Sequence, residues 1–412
     1  MSLLFAAAMT AAADPVSTSG ERMLRVPRTT TNYLLICLAT TLAIVSGRSA
    51  SASETKSFVV NWFYLASYFS DADCPDGLNP SAADFYRRDL FRAGHSKDEI
   101  DAALKDFPGE GGAPQPWIPL VIIRGNGKDN IYADPSTAPD PGIKIVTGRF
   151  GYGFNLDGLG DKSPNSFEDP ITHERGINNQ LYRTLSCIRG FRGPGGSDGP
   201  TKSNLDEVHW DKLREEMPAL VISITAANGF STDGDVSIIL GRALETITRD
   251  ASGTNVQAGM TYTLDPNPRT RNVVSGHLNQ GVISAESNQV NLVADNYIVN
   301  TFEFDKAHLR FNLKPDGTLA GMIGGYMPWY PLYHGMSVGG YVEEYASSVD
   351  LPGVYYALKK LADSDPDPVT KENRAISAAY AIDAVPAFVL ELGQQRSAAL
   401  QPPSTDRKGL GQ

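Results

Sequence analysis

Short apolar stretches separated by turn residues dominate the chain from Ala219 to about residue 345. Stretches such as ALVISITA and VSIILGRAL have the length and the apolar and β-branched character of strands. Asp316-Gly317, between HLRFNLK and TLAGMI, is the clearest hairpin signal. This spacing predicts an antiparallel β-sandwich or a partly closed barrel over 216–345.

The preceding region, 53–215, mixes helical and strand patterns with polar loops. The apolar run at 57–69 predicts a buried strand, and Ser81 begins a predicted helix. Ser96 with Glu99 forms a capping box that opens a second helix. The same patterns predict a strand at 118–123, a strand at 143–157 and a helix at 176–187.

The last part of the chain, 346–393, is predicted as a short helical region. A helix is expected at 351–362, and another around 375–380 leads to a strand at 385–390. Residues 394–412 are predicted as a loose tail. The predicted fold class is therefore α+β, mainly β, with two short helices in the N-terminal mixed region.

The N-terminal 1–52 resembles a leader rather than part of the working protein. Residues 33–45 form an uncharged apolar segment, which is shorter than the roughly 20 residues of a membrane span. Arg25 and Arg28 precede it, and Ala50-Ser51-Ala52 supplies a small-residue cleavage pattern. We expect cleavage after Ala52, with Met1 or Met23 as the start and a membrane anchor as the alternative. The mature chain is predicted to be exported, periplasmic or extracellular, with no membrane span.

Charge and cysteine content narrow the function classes. The chain has 36 Lys and Arg against 47 Asp and Glu, and this acidic balance argues against nucleic-acid binding. The mature chain keeps Cys74 and Cys187, and an even pair in an exported protein predicts a disulfide. The alternative is a reactive thiol at Cys187, since Arg183 and Arg189 lie nearby in sequence.

Two acidic loops are candidate calcium sites. Short oxygen-bearing side chains alternate on a turn in each loop, and calcium requires six to eight oxygen ligands. The candidate ligands are Asp71, Asp73, Asp76, Asn155, Asp157 and Asp161. Neither loop is an EF-hand, and the alternative interpretation is an ordinary surface turn.

An aromatic-rich stretch at 326–345 is a candidate platform for a carbohydrate or another small ligand. Its members are Tyr326, Trp329, Tyr330, Tyr333 and His334. The alternative is a core-facing strand pair. Glu343 and Glu344 follow, but adjacent residues on a strand would point to opposite faces rather than into one cleft.

Nucleotide, haem and flavin signatures are missing from the sequence. The six His show no helical pairing and no H-E-x-x-H, so each is predicted to be a surface or hydrogen-bonded His. Two hypotheses follow. The first is an exported binding or structural protein stabilised by a disulfide and by calcium. The second is a secreted hydrolase, acting on glycans, with carboxylates such as Asp157, Asp161 or Glu343.

Overall fold

A closed antiparallel barrel of eight strands lies at the centre of the protein. The computed structural model describes residues 53–110, 113, 115–196, 198–294 and 301–392. The predicted leader at 1–52 and tail at 394–412 lie outside these residues. The barrel strands are β1 (Glu54–Leu65), β2 (Pro218–Ala226), β3 (Gly234–Thr246), β4 (Arg271–Asn279), β5 (Val282–Val293), β6 (Thr301–Leu313), β7 (Leu319–Pro328) and β8 (Asn373–Pro386).

The strands pair in chain order, and β8 then pairs with β1 to close the barrel. Their side chains follow the two-residue period of a strand. In β6, buried Phe302 and Phe304 alternate with exposed Glu303 and Asp305. The predicted antiparallel β architecture is confirmed as part of a barrel from β2 to β7, whereas residues 329–345 are helical. One strand of that barrel, β1, comes from 53–215, and another, β8, comes from 346–393.

Aromatic side chains fill part of the barrel interior. The Phe63 ring stacks on Tyr380, with ring centroids 5.0 Å apart, and meets Phe302 edge-on at 4.8 Å. These contacts join β1, β6 and β8, which come from distant parts of the sequence. Burial of such large side chains contributes about 2 kcal/mol or more each, so closure is stabilised from inside.

The prediction of a helix around 375–380 is wrong, because this stretch lies within β8. Its residues are buried on both faces from Ala375 to Ile382. Helix α4 (Gln180–Leu185) covers the outer face, where the Gln180 amide donates to Ser377 Oγ at 3.0 Å. A strand that is buried on both sides loses its alternation, so the Ala-rich run resembles a helix in sequence.

A long insertion, 66–217, joins β1 to β2. It contains α1 (Ala82–Arg92), α2 (Lys97–Ala103), α3 (Trp117–Ile122), α4 and α5 (Asn204–Leu213). A short antiparallel ribbon pairs Phe167–Glu168 with Arg175–Ile177. The Ser96–Glu99 capping box is confirmed, since the Ser96 amide donates to Glu99 Oε2 at 2.7 Å.

Two strand predictions in this insertion are wrong. Residues 118–123 lie largely in α3, where Trp117 and Val121, one turn apart, are both buried. The Trp117 ring stacks on Tyr86 of α1 at 5.7 Å, and this tertiary contact favours the helix. Residues 143–157 contain no regular strand; Phe150 and Phe154 make only isolated bridges.

Helices α6 (Trp329–Ser347) and α7 (Leu351–Leu361) follow β7. The strand pair expected within 326–345 is therefore wrong beyond Pro328, although the helix predicted at 351–362 is confirmed. Helix α6 is kinked at Gly340, whose φ of 53° suits glycine. Within the described ranges, none of the helices has both the length and the apolar character that a membrane crossing requires.

Besides the ribbon of the insertion, three short strands of the described residues lie outside the ring of eight. Ser364–Pro366 pairs with the start of β8, and Thr261–Thr263 pairs in parallel with Phe388–Leu390. The second pair covers an apolar patch on the outside of the barrel, where Val59 and Val221 are buried. This part of the wall is therefore closed to solvent, unlike the wall of β3 to β6 described below.

The predicted disulfide between Cys74 and Cys187 is confirmed, with Cα atoms 5.8 Å apart. It is buried within the insertion, in a small cluster with Val146, Phe167 and Tyr182. A cross-link across such a long loop stabilises the fold by about 2–4 kcal/mol.

Candidate functional site

A polar groove of about 920 Å³ lies on the outer wall of the barrel. Strands β3 to β6 form its floor, and Phe154, Asn155 and Glu174 of the insertion form one side. Two of its carboxylate side chains, Asp235 and Glu286, are 93% and 78% exposed, so the groove is open to solvent. We call this feature the wall groove.

Strand register places four polar side chains in one row across the floor. Asp235 of β3 lies opposite His277 of β4. His277 in turn lies opposite Ser284 of β5, and Ser284 lies opposite Arg310 of β6. Neighbouring positions such as Leu309 are buried in the barrel, because successive side chains point to opposite faces. We call Asp235, His277, Ser284 and Arg310 the wall row.

Charged side chains of the groove are held in pairs. His277 Nδ1 lies 3.2 Å from Asp235 Oδ1. His308 Nδ1 lies 3.7 Å from Glu286 Oε1. Arg310 Nη2 donates to Glu174 Oε2 at 3.0 Å, which connects the barrel wall to the insertion. These contacts place hydrogen-bond donors and acceptors along the floor of the groove.

Phe154 anchors the insertion side of the groove against the barrel. Gly324 of β7 lies opposite His308, and a Cβ there would come within 2.6 Å of the Phe154 ring. Glycine therefore allows the ring to lie against the wall. The Arg310 guanidinium lies 5.2 Å from the ring centroid, and the His308 ring lies 5.7 Å away. Both side chains are held in place by this contact.

The predicted aromatic platform is divided by the structure. Tyr326, Trp329 and Tyr333 are buried. Tyr330 and His334 are exposed on α6, with their rings nearly parallel and 6.4 Å apart. Only these two could offer a face to a ligand in the present conformation. Ligand binding by the five residues stays a prediction.

A second group of charges, buried or half-buried, lies where the helices meet, and we call it the cap cluster. Its members are Arg88, Asp89, Arg124, Glu344 and Asp350. Arg124 donates to both Glu344 oxygens, at 2.5 and 3.0 Å. Burial lowers the pKa of Arg124, but the Glu344 carboxylate more than offsets this effect. The pKa of Arg124 therefore lies well above the usual value for arginine. The cluster connects α1, α6 and α7.

Glu343 precedes Glu344 on α6, so the expectation of a strand at this position is wrong. Its side chain is buried, and one carboxylate oxygen has no hydrogen-bond partner among the described residues. Burial raises the pKa of Glu343 to about 7, against a hydrogen bond from Ser347. Glu343 does not line the wall groove.

The six candidate calcium ligands lie in two separate settings. Asp73 is buried, and Arg192 Nη1 donates to its Oδ2 at 2.6 Å, where a metal ion would compete with the guanidinium. Asp71 and Asp76 are exposed.

In the second loop, Asp157 accepts from Ser163 Oγ at 2.6 Å, and Asn155 lies half-buried nearby. Asp161 lies 3.6 Å from Arg175 Nη1. No group of three or more His, Cys, Asp or Glu in the described residues is placed to hold a metal. Calcium binding stays a prediction. It is tested by comparing the melting temperature of the protein in the presence of calcium and in the presence of a chelator.

The sequence patterns alone do not single out the wall row, because its members come from four strands. The one local sequence feature that bears on the register of the row is the two-residue turn Gln280-Gly281 between β4 and β5. Their φ angles of 49° and 81° are both positive, as a type I′ hairpin requires. Counting outward from that turn places His277 opposite Ser284.

The wall groove and the cap cluster offer different possibilities for function. In the cap cluster, Arg124 and Glu344 are satisfied within the fold and shielded from solvent. In the groove, charged side chains reach solvent and can meet a ligand. Comparison with protein-family models, with curated proteins and with solved structures finds no match to this chain. On its geometry, the wall groove is the candidate functional site.

Proposed function

We propose that the protein is an exported binding protein whose wall groove holds a segment of a neutral glycan. The observation that supports this is the polar groove of about 920 Å³. Ligand sites typically have volumes of roughly 300–1,000 Å³, but most are lined by apolar side chains. A polar lining of this size instead favours a ligand that is rich in hydroxyl groups.

Charge balance in the groove favours a neutral ligand over an anionic one. Among the described residues that line it, the carboxylates Glu174, Asp235 and Glu286 outnumber the one permanent cation, Arg310. Glu174 Oε2 accepts a hydrogen bond from Nη2 of that cation and partly neutralises its charge. A sulfate or phosphate group would therefore meet net negative charge. A sugar hydroxyl, which both donates and accepts, is suited to alternating carboxylate, imidazole and serine groups.

Two further features support export. The sequence of 1–52 has the pattern of a cleaved secretory signal. The buried Cys74–Cys187 disulfide is of the kind that persists in oxidising compartments. A periplasmic or extracellular location would bring the groove into contact with envelope or environmental glycans.

Binding is tested with the full chain, disulfide intact, on an array of neutral, amino-containing and sulfated oligosaccharides. We expect binding to neutral members. Replacement of the groove residue Glu286 (Glu286→Ala) should weaken binding at least tenfold, about 1.4 kcal/mol, because its contacts with the ligand are lost. The matched control is Glu303→Ala, an exposed glutamate that does not line the groove.

Three results would argue against the proposal. One is no binding to any oligosaccharide on the array. Another is equal loss of affinity in the Glu286→Ala and Glu303→Ala variants, which would place the ligand elsewhere. A preference for sulfated members would contradict the charge argument. Calorimetry with the strongest neutral ligand then measures the affinity of each variant.

A further inference from the structure

The wall row combines four chemical groups in an order that suits acyl transfer. Residues directly opposite one another on an antiparallel pair have Cβ atoms about 4.5–5.5 Å apart. Asp235, His277, Ser284 and Arg310 are neighbours of this kind across β3 to β6. All four line the wall groove. A carboxylate, an imidazole, a hydroxyl and a guanidinium therefore stand side by side.

The contact between Asp235 and His277 defines the state of the imidazole. Asp235 Oδ1 lies 3.2 Å from His277 Nδ1. A carboxylate can only accept, so Nδ1 carries the hydrogen. In a neutral ring held by this contact the lone pair lies on Nε2, which is the tautomer that a general base needs. Asp235 is thus a positioning residue for His277.

Ser284 of β5 lies directly opposite His277, on the side away from Asp235. Such positions have Cβ atoms about 4.5–5.5 Å apart. A serine hydroxyl is a weak nucleophile until a base removes its proton, and contacts between nucleophile and base are often looser before substrate binds. The strand register therefore places a hydroxyl and a potential base at directly opposite positions. Of the two serines among the described residues that line the groove, Ser275 and Ser284, it is Ser284 that lies directly opposite His277.

Arg310 completes the row on the far side of Ser284. Its guanidinium is fixed by Glu174 at 3.0 Å and by the Phe154 ring beneath it. A cation that is held in place beside the attacked carbonyl stabilises the negative charge that develops on its oxygen. Glu174 leaves part of the Arg310 guanidinium available, since it contacts Nη2.

We propose that the wall row hydrolyses O-acyl esters carried by the glycan in the groove, an inference that rests on the proposed function. Ser284 Oγ attacks the ester carbonyl carbon while His277 Nε2 takes its proton. The bond from that carbon to the sugar oxygen breaks, and His277 returns the proton to the sugar oxygen. Water, activated by the same imidazole, then cleaves the acyl-serine and releases the carboxylic acid.

Esters fit this row better than amides or glycosidic bonds. Asp235 is 93% exposed, so water screens its support of the imidazole. A His277 base that Asp235 supports only weakly is better suited to an ester, because the alkoxide of an ester is a better leaving group than the amine of an amide. Glycosidic cleavage requires two carboxyl groups on opposite sides of an acetal and does not use a serine nucleophile.

The first test measures hydrolysis of p-nitrophenyl acetate by the full chain. We expect Ser284→Ala and His277→Gln each to lower kcat/KM at least 100-fold. The matched controls are Ser237→Ala and His95→Gln, which lie outside the groove and should stay within twofold. Activity that survives Ser284→Ala comes from surface imidazole and would overturn the inference.

Two further readouts separate a chemical role from a structural one. A fluorophosphonate probe should label Ser284 in the wild type, located by peptide mass spectrometry, and label at another serine would contradict the proposal. Asp235→Asn should lower kcat with KM unchanged, and Asp235→Glu should restore part of kcat. A purely structural Asp235 would not show that rescue.

Glycan binding by Ser284→Ala separates this inference from the proposed function. Retained binding with lost hydrolysis supports both. If the wild type binds neutral glycans yet neither hydrolyses the ester nor reacts with the probe, the esterase inference alone is wrong. If it hydrolyses the ester through Ser284 but binds no glycan, the proposed ligand class is wrong while the catalytic row stands.

Discussion

The wall groove and the cap cluster each pair an arginine with a glutamate, but these pairs differ in their exposure to solvent. In the cap cluster, Arg124 and Glu344 are almost fully buried and meet through two hydrogen bonds. In the groove, Arg310 and Glu174 meet at a single contact and remain partly exposed. The cap cluster also uses backbone groups, since the Leu351 amide donates to Glu344.

This difference separates charges that support the fold from charges that can serve a ligand. Removing one partner of a buried pair leaves an uncompensated charge, which costs about 3–5 kcal/mol. An exposed pair contributes about 0–1 kcal/mol. Substitutions in the cap cluster should therefore change stability, whereas those in the groove should change binding and chemistry.

The largest effect is expected for Glu344→Ala. It should lower the free energy of unfolding by about 3–5 kcal/mol, because Arg124 and the Tyr132 hydroxyl lose their acceptor. Urea unfolding at constant pH measures this. The control Glu372→Ala breaks an exposed pair with Lys359 and should cost less than about 1 kcal/mol. Equal losses of stability in the Glu344→Ala and Glu372→Ala variants would show that burial does not make the cap cluster more important for stability than an exposed pair.

Loss of the disulfide should come next. The double variant Cys74→Ala and Cys187→Ala should lose about 2–4 kcal/mol, because the unfolded chain gains freedom. Unfolding in urea, with and without reductant, measures the effect. Reductant should lower wild-type stability towards that of the double variant and leave the variant unchanged. Unchanged wild-type stability under complete reduction, checked by thiol counting, would contradict the expectation.

Glu343 gives a pH-dependent effect. Its pKa is raised from 4.5 to about 7, so the folded protein holds a proton that the unfolded chain releases. Stability should fall as pH rises from 4.5 to 7. Glu343→Gln removes this penalty and should be more stable above pH 7, by up to about 3 kcal/mol. Melting curves at pH 4 to 8 test it; parallel pH profiles for variant and wild type would refute it.

The smallest effect on stability is expected in the groove. Asp235→Asn removes an exposed charge beside His277 and should change the free energy of unfolding by less than about 0.5 kcal/mol. Urea unfolding under the conditions used for Glu344→Ala gives the direct comparison. A loss above 2 kcal/mol would place Asp235 among the structural charges and remove the contrast between the two regions.

Strand-rich regions are predictable from the sequence where one face meets solvent. The 216–345 strands show their period because Glu303 and Asp305 face water between buried phenylalanines. The stretch at 375–380 loses this cue, because α4 covers its outer face. Its alanines leave room for the neighbouring elements, and alanine is also the strongest helix former.

The candidate site is less accessible to sequence reasoning than the fold. The disulfide pairing follows from the count of two cysteines that remain once the predicted leader is set aside. The wall row depends instead on register across three strand pairs, which no local pattern contains. The stretch 326–345 fails for a related reason, since its aromatic residues fit a strand and a helix equally well until Trp329 and Tyr333 find buried partners.

Because β1 pairs with β8, the barrel can close only late in synthesis and folding. Phe58 lies opposite Pro386, so the first and last barrel strands come together only after nearly all described residues have been made. Until then, β1 and β7 each leave one edge of backbone donors and acceptors open to other chains. The slow step of folding should therefore be the pairing of β1 with β8, which closes the barrel. A chaperone that shields open strand edges would raise the yield of folded protein.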